Sequence, residues 1–261
     1  MFGGMLMLMW VTFAVGGHEL LHRVWKPAFS EENKSVALTL LALIATLNSL
    51  LLAFSAVSVW EAYRSANDAV SGEAVTLAEL SRDLAVYQST ASLAARDQVR
   101  LYAKDVVDRE WTLMQTDQRD LLKRTQFDNI FHALAALEPA TPRETIMLTE
   151  IWARANGLIK YRRDRLDASE SRVPDTLWAV VVLGSLLSLS PLLVLPRSEF
   201  NRVAIGVLSL STGLVFFFVV TMDRPFIGRD SITPEPFQAT LNSMADWDLE
   251  RAGGPLAGPL H

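Results

Sequence analysis

His18-Glu19-Leu20-Leu21-His22 is a literal H-E-x-x-H. On a helix this spacing sets two imidazoles one turn apart, where they can hold zinc. It also places the glutamate as a general base for peptide hydrolysis. A catalytic zinc needs a third protein ligand, which membrane-bound enzymes of this chemistry take from a carboxylate in a later span. The later apolar stretches Thr176–Pro196 and Val203–Met222 carry no Asp, Glu or His. His132 and His261 belong to an inserted segment and to the tail. A metal site at His18 and His22 is therefore not favoured; two interfacial histidines closing a short apolar helix fit better. The Cys count of 0 removes thiolate ligands and cysteine nucleophiles. Catalytic Ser/His/Asp sets, phosphate-binding glycine loops and paired intramembrane carboxylates are missing as well. The expectation is a protein that is not an enzyme and needs no cofactor. A net charge of −5, with no basic run interleaved with aromatics, argues against a nucleic-acid partner.

Two other sets of residues could act on ions. Asn48, Leu52, Ser55 and Val59 recur at i, i+4, i+7 and i+11, on one stripe of a charge-free helix. Hydroxyls and an amide along a pore can solvate an anion weakly enough to let it leave. The same small polar residues also hold helices together inside bundles, so both uses stay open. Arg162, Arg163 and Arg165 form a basic cluster that could attract anions at a vestibule. A solvated face beside the membrane, or contact with lipid headgroups, is the alternative.

The elements that must position these residues are mostly apolar helices. Half of the 261 residues are hydrophobic (50%), and they collect in four windows without charge. Each approaches or exceeds the roughly 20 residues that cross a bilayer's hydrocarbon core. The first runs from Met1, uncharged until His18, and can continue through Leu20, Leu21, Val24 and Trp25. A cleaved signal peptide fits poorly, because no positive segment precedes the apolar run. The second is Ser35–Trp60. The third, Thr176–Pro196, contains Pro191, so a kink is expected near Leu187–Pro191. The fourth is Val203–Met222. Trp10, Trp25, Trp60 and Trp178 lie near span ends, as amphipathic rings prefer. Four crossings put both termini on one side. Arg23, Lys26, Lys34, Arg197 and Arg202 stand on one side, against Arg64, Arg162, Arg163, Arg165, Arg172, Arg224 and Arg229 on the other. The balance leans toward a cytoplasmic inserted domain and cytoplasmic termini.

Between the second and third spans the pattern stays helical, with Leu77, Leu80, Leu84 and Tyr87 at spacings of three and four. No proline interrupts Ser35–Leu137, so the second span is expected to continue into water as one long helix. Pro139 and Pro142 mark a turn. Thr141-Pro142-Arg143-Glu144 supplies an N-cap, an N1 proline and a capping-box glutamate for a helix reaching about Ser171. In the tail, Phe237, Leu241 and Met244 share one face of a short helix that could dock on the inserted domain. Asp223-Arg224 before Pro225 reads as a span stop with a local ion pair and a turn aiming the tail. The fold class is all-α, a four-span membrane protein with a helical insertion. The expected divisions are 1–60 and 174–222 for the helix pairs, 61–173 for the insertion and 223–261 for the tail.

Three stretches resemble the bestrophin-like domain found in many bacterial membrane proteins. They are Leu50–Phe54 through Val59-Trp60-Glu61-Ala62-Tyr63, with Ala69-Val70 and Glu73-Ala74; Arg162-Arg163-Asp164-Arg165-Leu166, with Val173-Pro174 and Trp178; and Asp223-Arg224-Pro225-Phe226 with Gly228, followed by Pro234-Glu235-Pro236-Phe237. A His-Asn pair common in that family before the second span is replaced here by Glu31-Glu32-Asn33-Lys34. The resemblance implies a multi-pass protein of the bacterial inner membrane in contact with lipid, assembling as a homo-oligomer, a pentamer. It also implies a central pore lined mainly by the second span and passing small anions. A non-conducting accessory or sensor subunit of a larger membrane complex is the alternative, and the zinc peptidase stands third.

Overall fold

The computed structural model describes residues 2–24, 31–118, 121–122, 124–189, 196 and 198–252. Trp25, Lys26, Pro191 with its expected kink, Arg197 and His261 lie outside them, as does the side chain of Lys34. The described residues are helical, with no strand among them. In chain order the helices are α1 (Phe2–Val24), α2 (Glu31–Tyr87), α3 (Thr90–Asp105), a π-helical turn (Val106–Glu110) and α4 (Trp111–Gln115). There follow α5 (Thr125–Ala135), α6 (Pro142–Glu170), α7 (Asp175–Leu189), α8 (Glu199–Met222) and α9 (Glu235–Ala252).

Among the described residues two helices can cross a membrane by length and composition, α2 from Ser35 onward and α8, while the apolar segment Asp175–Ser188 of α7 is shorter. Helix α2 runs for 57 residues, about 85 Å at the α-helical rise. It stops well before the end of the proline-free stretch because Gln88 turns left-handed (φ 60°). Ser89 then caps a new helix: its hydroxyl accepts the Ser92 N–H at 3.0 Å and its own N–H goes to the Ser92 hydroxyl at 3.0 Å. Helix α6 starts where Thr141-Pro142 predicts, with the Thr141 hydroxyl taking the Glu144 N–H at 3.2 Å. The Glu144 carboxylate closes on the Ala140 N–H (2.7 Å), one residue upstream of the expected capping-box partner. Helix α8 begins ahead of the expected span because Ser198 caps it through the Asn201 N–H at 3.1 Å.

The chain divides into two compact units. One comprises Met1–Tyr63 and Ser171–Arg224, the other Arg64–Glu170 and Pro225–His261. In the first, α1 packs against α8, and Trp10, Ala14, Leu52, Val181, Ile205 and Phe216 form the core. Gly213 permits that approach: a Cβ there would lie 3.4 Å from the Met7 backbone. The outer surface of this unit is large and apolar, including Met9, Phe13, Leu43, Leu50, Phe54, Leu183 and Val207. In the second unit the stripe predicted at Leu77, Leu80, Leu84 and Tyr87 is buried, α3 packs on α5 and α9, and Phe237 and Met244 of α9 are fully covered. The Thr240 hydroxyl donates to the Ala74 carbonyl at 3.0 Å, which pins α9 to the α2 side of that unit.

Candidate functional site

In the first unit, the stripe Asn48, Leu52, Ser55 and Val59 is the buried side of α2, turned onto the chain's own helices. Leu52 belongs to the aromatic core, where the Trp10 and Phe216 rings meet tilted at 4.9 Å. The Ser55 hydroxyl donates to the Leu51 carbonyl at 2.9 Å, and the Asn48 amide donates to the Ser185 hydroxyl at 3.4 Å. Asn48 also presses on α7, where a Cβ at Gly184 would fall 2.3 Å from its Oδ1, so a larger residue there would force the amide to shift. Thr46 and Ser49 likewise spend their hydroxyls on Ala42 and Ala45, both at 2.7 Å. Of the two uses expected of Asn48, Leu52, Ser55 and Val59, pore lining and helix packing, the single chain displays packing contacts. Their surfaces and donors are consumed inside the helix bundle, the glue role that small polar residues play when apolar burial cannot drive association.

The charged centre lies in the second unit. Heptad-like spacing explains its assembly: Ala66, Val70, Glu73, Leu77, Leu80 and Leu84 follow one stripe of α2. Ile151, Ala155, Leu158, Arg162 and Arg165 follow one stripe of α6. Three charges thus ride in apolar positions. The π-helical turn shifts register so that Glu110 joins them from the α3 side. Arg165 Nε donates to Glu73 Oε2 at 2.6 Å and its Nη2 to Glu110 Oε2 at 2.8 Å. Arg162 forks onto Glu110 through Nη2 (2.9 Å) and Nη1 (3.2 Å). The Tyr102 hydroxyl donates to Glu73 and accepts from both arginines at 3.3 Å. Two carboxylates balance two guanidiniums, and all four side chains are buried. Burial pushes the Tyr102 phenol well above its usual range, and the Glu73 carboxylate pushes it further. Burial opposes the charge on Arg165 most strongly, but Glu73, Tyr102 and Glu110 together outweigh it and hold the guanidinium more firmly protonated than usual.

The three arginines expected to attract anions at a vestibule, Arg162, Arg163 and Arg165, divide between buried and exposed in the same geometry. Arg162 and Arg165 are buried and neutralised, since a guanidinium taken out of water needs a carboxylate at hand. Arg163, one position round the helix, is exposed. The pairing partners Glu73, Glu110 and Tyr102 were not singled out from sequence. The usable signal was charge placed on an apolar stripe, which demands a buried counter-charge.

Asp223 does not pair with Arg224; its carboxylate accepts the Val173 N–H at 2.7 Å, tying the start of α7 to the end of α8, while Arg224 is exposed. Beyond it, in the second unit, Pro225 offers its carbonyl to the Ile232 N–H at 2.8 Å. Gly228 has φ +120°, which only glycine adopts without strain. The Pro234 carbonyl receives the Phe237 and Gln238 N–H groups at 3.0 and 3.1 Å, and Pro236 follows in the first turn of α9. Phe226 and Phe237 close edge-on around Trp111 at 5.6 and 6.2 Å, and Phe237 also lies 5.7 Å under the Arg165 guanidinium. His18 and His22 stack edge to face at 4.6 Å. Among the described residues no group of three or more His, Cys, Asp or Glu gathers into a metal-ligand set.

An all-helical chain with membrane-length apolar helices and a separately packed, ion-paired helical unit defines a class of membrane-embedded proteins. The bestrophin-like domain family matches residues 8–237, and the chain belongs to that family. The fold is shared with solved structures. A crystal structure of a bacterial bestrophin homolog from Klebsiella pneumoniae aligns with TM-score 0.64 at 12% identity, over 98% of this chain and 99% of that one. A singly substituted form of that homolog aligns with TM-score 0.64 at 13% identity, over 97% and 98% of the two chains. A crystal structure of a membrane protein variant gives 0.62 at 14% identity, over 97% and 98%. No curated protein sequence matches the chain.

Proposed function

We propose that the chain is one subunit of a homo-oligomeric channel for small anions, with α2 beside the conduction path. The chain belongs to the bestrophin-like family and shares its fold with a bacterial bestrophin homolog, and bestrophins are anion channels. The observation that carries the reading is the outer face of α2 in the first unit. Opposite the buried Asn48–Ser55 stripe stand Leu43, Leu50, Phe54 and Val57, all exposed in the single chain. At 100° per residue these four share one side of the helix, so lipid or further copies of the chain must cover them. An apolar constriction of this kind gates by dewetting and needs no fixed charge. Four crossings, a pentamer, a cytoplasmic insertion and tail, and the inner membrane belong to the same proposal. So do the divisions at 60, 173 and 222, which the sequence pattern supports.

The absence of native cysteine makes the test direct. Single cysteines at Leu50 and Leu52 are compared in purified protein reconstituted in liposomes under a chloride gradient. Water-soluble thiol reagents are expected to label position 50, cross-link it between subunits and block flux, and to leave position 52 untouched. Labelling of position 50 only by lipid-soluble reagents would remove α2 from the conduction path. Silence of the wild type across voltage, pH and anion would instead favour an accessory or sensor subunit.

A further inference from the structure

Beside the buried ion pairs, the second unit contains a solvent-open cleft of about 160 Å³ that conduction does not require. It is lined by Arg124, Phe127, Ile159, Arg162, Arg163 and Leu166, with Asp167 at its edge. Two elements build it. The first turn of α5 contributes Arg124 and Phe127, three residues apart. One face of α6 contributes Ile159, Arg162, Arg163 and Leu166 at spacings of three and four. Ile159 and Leu166 stay half-buried, so an apolar floor meets water between guanidiniums. Phe127 lies 5.0 Å under the Arg162 guanidinium and fixes that wall.

The charges on this cleft are unequal in what they have left to give. Arg162 is committed to Glu110 on its far side. Arg124 meets Asp128 only at 3.4 Å, with side chains 71% and 46% exposed, a pairing that water competes for. Arg163 forms no ion pair among the described residues and presents its full charge to solvent. The start of α5 carries no side-chain cap, so its dipole adds to the same positive edge. A cleft of this size, open to solvent, suits the head of a compact molecule. We propose that the cleft binds a small organic anion, a carboxylate or phosphomonoester whose compact apolar body rests on Ile159 and Leu166. Arg163 and Arg124 hold the anion, and Asp167 limits the affinity by like-charge repulsion. The inference stands apart from the channel reading, since binding is read without flux.

The experiment is equilibrium binding of phenyl phosphate to the full chain in detergent micelles, with inorganic phosphate and benzyl alcohol as the charge-only and apolar-only controls. Saturable binding of phenyl phosphate, weaker for either control, is expected. Arg163→Gln should weaken it about tenfold, the loss of one charge-assisted hydrogen bond. Arg124→Gln should weaken it less, and Asp167→Asn should tighten it a few-fold. Arg163 and Arg124 are exposed, so unchanged thermal midpoints without ligand separate lost binding from lost folding. Competition by nanodiscs containing phosphatidic acid would assign the site to a lipid headgroup; no competition would assign it to a soluble anion. Binding equal for benzyl alcohol, unmoved by Arg163→Gln and Arg124→Gln, or not saturable would overturn the proposal.

Discussion

Helix α2 buries two different chemistries along its length. In the unit of Met1–Tyr63 and Ser171–Arg224 its inward residues are Asn48, Leu52, Ser55 and Val59, uncharged and partnered by neighbours or by its own backbone. In the unit of Arg64–Glu170 and Pro225–His261 it turns inward Val70, Glu73, Leu77 and Leu80, and the glutamate meets full positive charge. Outward the contrast reverses. The first unit exposes Leu43, Leu50 and Phe54, whereas the second exposes residues such as Arg82, Asp97, Lys104 and Arg163. Surrounded by lipid, helices gain little from hiding leucine and rely on close fit and small polar contacts. Surrounded by water, helices gain their stability from hiding leucine and can carry a buried ion quartet within that apolar core.

The sharpest way to break this comparison is to unbalance the quartet. Arg165→Met leaves Glu73 and Glu110 short of positive charge and should cost about 3–5 kcal/mol in thermal or denaturant unfolding. Adding Glu73→Gln to it should recover part of that loss, and a purely additive double variant would show that the charges are not coupled. Next come matched leucines. Leu80→Ala, at a position 0% exposed, should cost about 2–5 kcal/mol, whereas Leu50→Ala, at 55% exposed, should barely move the unfolding of a solubilised single chain. Equal losses would mean that the two units are packed alike. Third is Gly184→Ala, which pushes a methyl into Asn48 and should cost about 1–3 kcal/mol through overpacking. Asn48→Ala in the same chain should relieve it, a rescue that no distant defect would give.

The smallest effect concerns Asp248. Its carboxylate binds Arg96 and Arg100, helping to hold α9 to α3. Burial alone would raise its pKa, but the two arginines outweigh it and hold the acid below its ordinary value. A depressed carboxylate contributes stability above its unfolded pKa and loses it as pH falls through the lower folded value. The protection of α9 amides against hydrogen exchange, relative to their intrinsic rates, should therefore fall on acidification in the wild type. Asp248→Asn should remove that pH dependence while leaving the quartet's protection unchanged.

The sequence by itself determined the helices, because what makes them is local. Charge-free windows, the Thr141-Pro142-Glu144 start of α6, the Leu77–Tyr87 stripe and the Pro234-Glu235-Pro236-Phe237 entry to α9 each act within a few residues. It also carried enough of the motif set to suggest the family. Tertiary structure decided what each stripe faces, because periodicity marks one side of a helix without naming what lies against it. Asn48 and Ser55 had a pattern that fits pore donors or helix packing alike, and only the fold showed their hydrogen bonds to Ser185 and the Leu51 carbonyl. Arg162 and Arg165 had the pattern of a basic patch until Glu73 and Glu110, more than fifty residues away in the chain, came within hydrogen-bond reach. A buried charge is decided by the partner that folding delivers, and that partner's distance along the chain leaves no mark in the local pattern.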